Sequence, residues 1–141
     1  MQPCYWSIDK LPGLPENESK LLQNFGIVTT KDLLNKANTS QAKQTLASLL
    51  QINIKYVNKW VALADLARLP SVGCQYCGLL LHAGIASVKQ LAQTPIHRLH
   101  PQIMRLHVAT LQRKDLCPSV DMVQQWVKEA KLVCNINNSF F

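Results

Sequence analysis

The sequence predicts an all-α fold, a compact bundle built from two tandem copies of one helical unit. No stretch of the chain alternates polar and apolar residues with the two-residue period of a β-strand. Apolar residues recur instead at the three- and four-residue spacing of amphipathic helices. The chain also resembles itself at a fixed offset. Apolar residues make up 48% of the chain and charged residues 16%, which indicates a folded rather than a disordered protein.

The internal repeat aligns without gaps over the first half of each copy. Residues 11–33 match residues 69–91 at an offset of 58 positions. The matching apolar residues are Leu11, Leu14, Leu21, Leu22, Ile27 and Leu33 in the first copy and Leu69, Val72, Leu79, Leu80, Ile85 and Leu91 in the second. A second match pairs Val57–Val61 with Val123–Val127 at an offset of 66, so the second copy carries extra residues, which we place near Arg113 to Val120. We therefore predict a first repeat over residues 1–65, a second over 66–134, and a short C-terminal tail over 135–141, all within one globular unit.

Each copy is expected to begin in the same way. A Leu-Pro step ends any preceding helix, because the residue before proline is pushed out of the α region. A helix follows, and Gly26 or Gly84 stands where a helix C-cap favours left-handed geometry. Thr29 or Ser87 is then expected to cap the N-terminus of the next helix.

The later helices of each copy follow from apolar spacing. In copy one we expect a helix over about residues 42–50 and another over about 54–69, the latter forming a shared spine between the copies. In copy two Pro101 suits a first helical position. The apolar stripe of that helix is expected to contain Ile103, Met104, Val108 and Leu111. We interpret Trp60 and Trp126 as packing anchors of the core rather than platforms for base stacking.

The two Leu-Pro segments resemble a known motif. Leu-Pro-Gly-Leu and Leu-Pro-Ser-Val-Gly, each followed by Leu-Leu-x-x-x-Gly-Ile, are similar to the helix-hairpin-helix motif of repair polymerases and Holliday-junction-binding proteins. The string from Ala64 to Gly73, continuing to Leu91-Ala92, more closely resembles an uncharacterised, largely cyanobacterial family of tandem helix-hairpin-helix proteins, a domain of unknown function. The resemblance covers about residues 8–130. It implies a bundle of two tandem helix-hairpin-helix-like repeats and no particular activity.

Charge is distributed unevenly along the chain. The formal net charge is +7, and no Asp or Glu occurs from Leu66 to Lys114. That stretch contains six basic residues and all four histidines: Arg68, Lys89, Arg98, Arg105, Arg113, Lys114, His82, His97, His100 and His107. A positive potential of this kind attracts polyanions. A solvated basic face without a partner is the other interpretation.

The turn at residues 11–15, here named proline turn one, is expected to be structural. In the DNA-binding form of the motif, glycines let the backbone approach a phosphate, and N–H groups at the start of the following helix bind its oxygens. Such binding reads no base. Here Pro15 replaces the second glycine and removes a donor, while Glu16 and Glu18 place negative charge at the helix start.

The turn at residues 69–73, named proline turn two, is the better candidate for anion binding. It has Ser71 in place of the first glycine but keeps Gly73, and Gly73, Cys74 and Gln75 can offer backbone N–H groups. Arg68 lies one turn earlier. The following helix carries no Lys or Arg, so anion contact and a purely structural turn both remain open.

The helix expected from Pro101 to Lys114 is the second candidate surface. Its polar side would hold Gln102, Arg105, Gln112 and Arg113, and an adjacent face would hold His100, His107 and Lys114. This is either a phosphate-tracking strip, stronger as pH falls toward ~6, or an ordinary solvated face. The predicted nucleic-acid-binding residues are Arg68, Ser71, Gly73, Cys74, Gln75, Arg98, Arg105, Arg113 and Lys114.

Cys74 and Cys77 form a single CxxC motif. A structural zinc site needs four ligands, usually from two such pairs, and the chain has no second pair. Redox activity is a further possibility, since a cysteine near a helix N-terminus can have a lowered pKa. We favour the interpretation that Cys77 is a small core residue.

The sequence favours a non-enzymatic protein without cofactor or metal. It shows no nucleophile with a base, no paired carboxylates and no phosphate-cradling loop of known type. The absence of a signal peptide or membrane span and the scattered five cysteines favour the cytoplasm. We expect sequence-independent nucleic-acid binding, to DNA rather than RNA. The alternative is a protein-interaction adaptor that docks an acidic partner.

Overall fold

The helices follow one another in two matched series. The computed structural model describes residues 3–111 and 118–138, and the side chains of residues 3–106 and 118–134. In these described ranges a 3-10 turn at Ile8–Lys10 precedes eight α-helices. They are α1 (Glu16–Asn24), α2 (Thr30–Lys36), α3 (Ser40–Leu50), α4 (Ile54–Leu66), α5 (Gly73–His82), α6 (Val88–Gln93), α7 (Ile96–Leu111) and α8 (Val120–Asn138). Within the described ranges no β-strand forms, and the pairing of Ser7 with Thr29 is an isolated bridge. The all-α prediction is confirmed.

The helix starts reproduce both offsets of the sequence repeat. Helix α2 begins at Thr30 and α6 at Val88, which is the offset of 58. Helix α4 begins at Ile54 and α8 at Val120, which is the offset of 66. Equivalent helices of the two copies can therefore be compared position by position.

The predicted helix ends and caps are confirmed. Gly26 and Gly84 have φ angles of 83° and 97°, the left-handed geometry that a side chain disfavours. The hydroxyls of Thr29 and Ser87 each accept the backbone N–H three residues later, at 3.2 and 3.0 Å. These local signals place the start of α2 and of α6.

The core is continuous across the two copies. Trp60 is 2% exposed and Trp126 is fully buried, so both are packing anchors, as predicted. Helix α4 contacts α2 and α3 of its own copy and α5 of the next, which makes it the expected spine. Helix α8 occupies the equivalent place in copy two, against α6 and α7.

Helix α7 departs from the prediction at both its start and its stripe. It begins five residues before Pro101, which therefore lies inside the helix and not at its first position. Leu99 and Ile103 are fully buried, and their four-residue spacing sets the side of α7 that faces the core. Met104 is 41% exposed, so its assignment to the buried stripe is wrong, because it lies about 100° around the helix from Ile103. The other two predicted members of the stripe, Val108 and Leu111, lie outside the residues whose side chains are described.

The N-terminal segment links the two copies. The backbone N–H of Cys4 donates to the carbonyl of Arg68 at 2.7 Å, and the indole N–H of Trp6 donates to the carbonyl of Ala67 at 2.7 Å. The ring of Trp6 also lies 3.3 Å from where a Cβ would stand at Gly73. Proline turn two is thus covered on one side by the start of the chain.

Candidate nucleic-acid interface

The backbone of proline turn two is tightly closed. Gly73 adopts a φ of 52° and is buried against Trp6. Its N–H donates to the carbonyl of Leu69 at 2.9 Å, and the N–H of Val72 donates to the same carbonyl at 3.0 Å. The Gly73 amide, which the sequence suggested for an anion, is therefore used inside the turn.

A carboxylate from α8 takes the remaining donors of the turn. Glu129 is only 4% exposed and accepts the N–H of Ser71 at 3.0 Å and its hydroxyl at 2.5 Å. The side-chain amide of Gln125 donates to the same carboxylate at 2.8 Å, and the indole N–H of Trp126 donates to the carbonyl of Ser71 at 3.1 Å. An oxygen anion of the chain itself thus occupies the donors that an external phosphate would use at Ser71.

The sequence contained a signal for Glu129 that composition alone does not reveal. The offset of 66 makes Glu129 the counterpart of Leu63, which is 1% exposed in α4. The same comparison pairs Ser71 with Gly13 at the offset of 58. A carboxylate at a core position of one copy, facing a hydroxyl where the other copy has glycine, indicates a buried hydrogen-bonded pair.

Arg68 is engaged within the fold. Its guanidinium lies 2.6 Å from a carboxylate oxygen of Asp65, and the arginine side chain is only 17% exposed. The other carboxylate oxygen of Asp65 accepts the N–H of Val88 at 2.8 Å, at the start of α6. Arg68 therefore supports a carboxylate that caps a helix, which is favourable at a helix N-terminus.

Two amides at the start of α5 remain for an external partner. Gln75 is exposed and Cys74 is half-buried. Neither backbone N–H donates to any residue in the described part of the chain. Of the residues predicted at proline turn two, Cys74 and Gln75 keep backbone N–H groups without an acceptor in the described part of the chain, and Arg68, Ser71 and Gly73 make internal contacts.

The CxxC motif does not have the electrostatics of a reactive pair. Burial raises the pKa of the Cys74 thiol, and the nearby charge of Lys10 offsets this only in part. Burial also raises the pKa of Cys77 to about 12. The suggestion that the helix N-terminus lowers the pKa of Cys74 is therefore wrong. Cys77 is fully buried, which confirms that it is a core residue.

Helix α7 presents an exposed basic face. Arg98 and Arg105 are both exposed and lie seven residues apart, which puts them on one side of the helix. His97 is exposed close by. Outside the described residues lie the other predicted contributors of this surface, Arg113 and Lys114, and the side chain of His107.

His100 does not belong to the predicted histidine strip. It is half-buried, and its Nε2 lies 3.1 Å from the carbonyl oxygen of Pro118. The ring therefore holds the segment before α8 against α7. Its assignment to a solvent-facing strip is wrong, because the seven-residue spacing describes positions along α7 alone and takes no account of Pro118, which contacts the ring.

Proline turn one offers a different surface. Pro15 is the N-cap residue of α1, without a side-chain capping bond, and Glu16 is exposed at the helix start. Gly13 adopts a φ of 72°, with Nζ of Lys59 lying 3.3 Å from where its Cβ would stand. Gly13 stands at the position equivalent to Ser71, and Leu63 stands at the position equivalent to Glu129. This turn therefore has no counterpart of the Ser71–Glu129 contact.

The described residues lack two further features, a metal-binding cluster and a membrane-spanning helix. No three His, Cys, Asp or Glu side chains among them come together as metal ligands would. None of the described helices has both the length and the apolar character needed to cross a membrane.

Comparison with known proteins gives a family and no activity. A family model described as a domain of unknown function (DUF4332) matches residues 12–133. No curated protein and no solved structure matches the chain. Because the family model spans most of the sequence, this chain belongs to the DUF4332 family.

Proposed function

We propose that this chain is a non-enzymatic, cytoplasmic helix-hairpin-helix protein that binds nucleic acid, DNA rather than RNA, without reading base sequence. The contact is to the phosphate backbone, which dominates the affinity of such proteins. The observation that carries the proposal is the imbalance of exposed charge. The resemblance of both proline turns to the helix-hairpin-helix motif supports it, and each turn keeps one glycine, Gly13 or Gly73, with a positive φ.

Internal use of carboxylates makes the surface more basic than the sequence suggests. Asp32 caps α2, Asp65 caps α6, and Glu129 closes proline turn two. Among the described residues only three carboxylates are exposed, against eleven basic side chains. The exposed basic residues are Lys10, Lys20, Lys31, Lys36, Lys55, Lys59, Lys89, Arg98, Arg105, Lys128 and Lys131.

The proposed contact surface combines α7 with the start of α5. Arg98 and Arg105 lie about 10 Å apart along the helix axis, so two separate phosphates of one backbone can be reached. The N–H groups of Cys74 and Gln75 add donors at a helix N-terminus. Arg113 and Lys114 follow α7 in sequence and belong to the same proposal. Ser71 and Arg68 contribute only if their internal partners release them.

Fluorescence anisotropy with a labelled 20-base-pair DNA duplex tests this proposal. We expect binding at ~50 mM salt that weakens steeply toward ~200 mM. The double variant Arg98→Ala/Arg105→Ala should weaken binding about tenfold and lower the log–log salt slope by ~2. The matched control Lys55→Ala/Lys59→Ala removes the same charge from exposed positions of α4. Absence of binding at ~50 mM salt, or equal losses in the two variants, would contradict the proposed surface.

A second candidate function is supported by proline turn two itself. The donors of Ser71 are taken by Glu129, and the charge of Arg68 is paired with Asp65. These contacts support a scaffold that serves as an adaptor for an acidic protein partner. The same titration tests the nucleic-acid function: if the DNA duplex stays unbound at ~50 mM salt, the adaptor is the function that remains.

A further inference from the structure

Two grooves occupy equivalent places in the two copies. The α4 groove has a volume of about 450 Å³ and lies between α4 and the residues around the end of α2, and the α8 groove has a volume of about 550 Å³ and lies between α8 and the α6–α7 junction. The α4 groove is lined by Ala37, Asn38, Asn58, Val61, Ala62 and Asp65. The α8 groove is lined by Pro95, Ile96, Gln124, Val127, Lys128 and Lys131. Each of the first six positions becomes the corresponding one of the second six when shifted by 58 or 66 residues.

The α4 groove is bounded on one side by the following copy. Ala86 and Ser87, just before α6, line its far side. At its end the carboxylate of Asp65 accepts the N–H of Val88, so an acidic side chain meets the N-terminus of a helix. One end of the α4 groove therefore matches an acidic side chain with the positive end of a helix, while Lys43 contributes a basic side chain elsewhere in the lining.

In the described part of the chain no such segment lines the far side of the α8 groove, and two equivalent positions differ in charge. Lys131 stands at the position of Asp65, and Lys128 stands at the position of Ala62. Both lysines are exposed, whereas Val127 and Ile96 are largely covered and give the floor an apolar character. The occupant that suits this groove presents negative charge where α6 presents its positive end.

We propose that the α8 groove docks an acidic segment of a protein partner. Carboxylates of the segment meet Lys128 and Lys131, and an apolar side chain packs on Ile96 and Val127. Asp121 lies at the other end of the groove, about 15 Å from Lys131 along α8, so the acidic end of the segment points toward Lys131. The site is distinct from the arginine face of α7, and the proposal holds whether or not the chain binds DNA.

The test uses a fluorescein-labelled 12-residue peptide in which leucines alternate with pairs of glutamates at helical spacing. We expect binding in the range of about 10–100 µM, since few contacts are fully desolvated. The variant Lys128→Ala/Lys131→Ala should weaken binding at least tenfold, and Lys55→Ala/Lys59→Ala should leave it within twofold. In heteronuclear NMR spectra of the full chain, peptide addition should shift the amides of Ile96, Val127, Lys128 and Lys131.

A charge reversal gives the sharpest outcome. Lys131→Asp recreates at α8 the carboxylate of the α4 groove, so this variant should lose the acidic peptide and bind the equivalent peptide in which lysine replaces glutamate. Three results would overturn the proposal. The first is that the peptide shifts amide resonances of α7 alone. The second is that the DNA duplex shifts the same groove amides. The third is that the chain forms a concentration-dependent dimer that Lys131→Asp abolishes. The last two assign the groove to nucleic acid and to a second copy of this chain.

Discussion

The contact between Glu129 and Ser71 makes a quantitative prediction about stability. Replacing Glu129 with leucine gives copy two the residue that copy one has at Leu63. The substitution removes three hydrogen bonds from a side chain that is 4% exposed. The Ser71 hydroxyl can turn to water because Ser71 is exposed, but its N–H loses its only partner, at a cost of about 1–3 kcal/mol. Burial of the leucine returns about 1–2 kcal/mol.

We therefore expect Glu129→Leu to lower the free energy of unfolding by about 2–3 kcal/mol, because the stranded N–H costs about 2 kcal/mol and the other two hydrogen bonds about 1 kcal/mol each, of which the leucine returns about 1–2 kcal/mol. Adding Ser71→Gly, which copies Gly13, should recover part of that loss. The double-mutant cycle should show a coupling of about 1–2 kcal/mol. Urea denaturation followed by tryptophan fluorescence measures both quantities, because Trp126 donates to the carbonyl of Ser71. Glu16→Gln, at an exposed site, serves as control and should stay within about 0.5 kcal/mol of the parent chain.

The reasoning fails if Glu129→Leu costs less than about 0.5 kcal/mol or if the two substitutions are additive. Either result means that the carboxylate does not hold the turn, and that the donors of Ser71 are accessible to an external anion. DNA affinity of Glu129→Leu provides a second measurement on the same protein. A rise in affinity larger than that of Glu16→Gln, which removes the same charge at an exposed site, indicates that proline turn two can bind phosphate once its internal acceptor is gone.

Three further predictions concern local features. Hydrogen bonds from the backbone N–H groups of Thr29 and Val28 hold the pKa of Asp32 below its usual value of 3.8, so this stabilisation is present above pH ~3.8 and is lost as pH falls through the lower pKa of the folded state. Asp32→Asn should accordingly flatten the fall of the urea midpoint between about pH 4 and pH 2. Gly84→Ala should cost about 1 kcal/mol from backbone strain alone, since nothing lies within 4 Å of the added Cβ, whereas Gly78→Ala inside α5 should be neutral or stabilising by up to about 1 kcal/mol. Calorimetric melting of this pair contradicts the reasoning if the order is reversed. Alkylation of the native protein with iodoacetamide at pH 8 should leave Cys77 unmodified and modify Cys74 slowly, because burial raises the pKa of both thiols. Mass spectrometry measures the extent of labelling, and rapid labelling of Cys77 would show that the core opens.

Features decided within a few residues were predictable from the sequence. The helix ends at Gly26 and Gly84 and the caps at Thr29 and Ser87 depend on local backbone geometry, which residue type constrains directly. The buried tryptophans followed from the repeat, because a large apolar residue at the same place in both copies indicates the core. Met104 does not belong to the buried side of α7, whereas Ile103 does; a helix start at Pro101 leaves Leu99 outside the helix, and Leu99 is the residue that defines the buried side together with Ile103.

The candidate site depended on contacts between distant residues, and these were not predictable from one sequence. Ser71 and Glu129 are 58 residues apart, and Trp6 reaches Ala67 across 61 residues. An arginine near a turn predicts an anion site only if no carboxylate of the fold reaches it first, and Asp65 does so within one helical turn of Arg68. The α8 groove was missed because a groove exists only once two helices are packed together.

Helix α4 bears on whether one repeat can be stable by itself and on how further repeats could be added. It closes the first copy against α2 and α3, and its last turn also supplies Asp65 to the start of α6 in the second. A cut after residue 65 would therefore separate Val88 from its cap and leave Arg68 without its acid, so we expect neither half to persist as an independent piece. A further repeat would therefore run from one proline turn to the next. Its first helices would pack against the last helix of the preceding repeat, as α5 packs against α4.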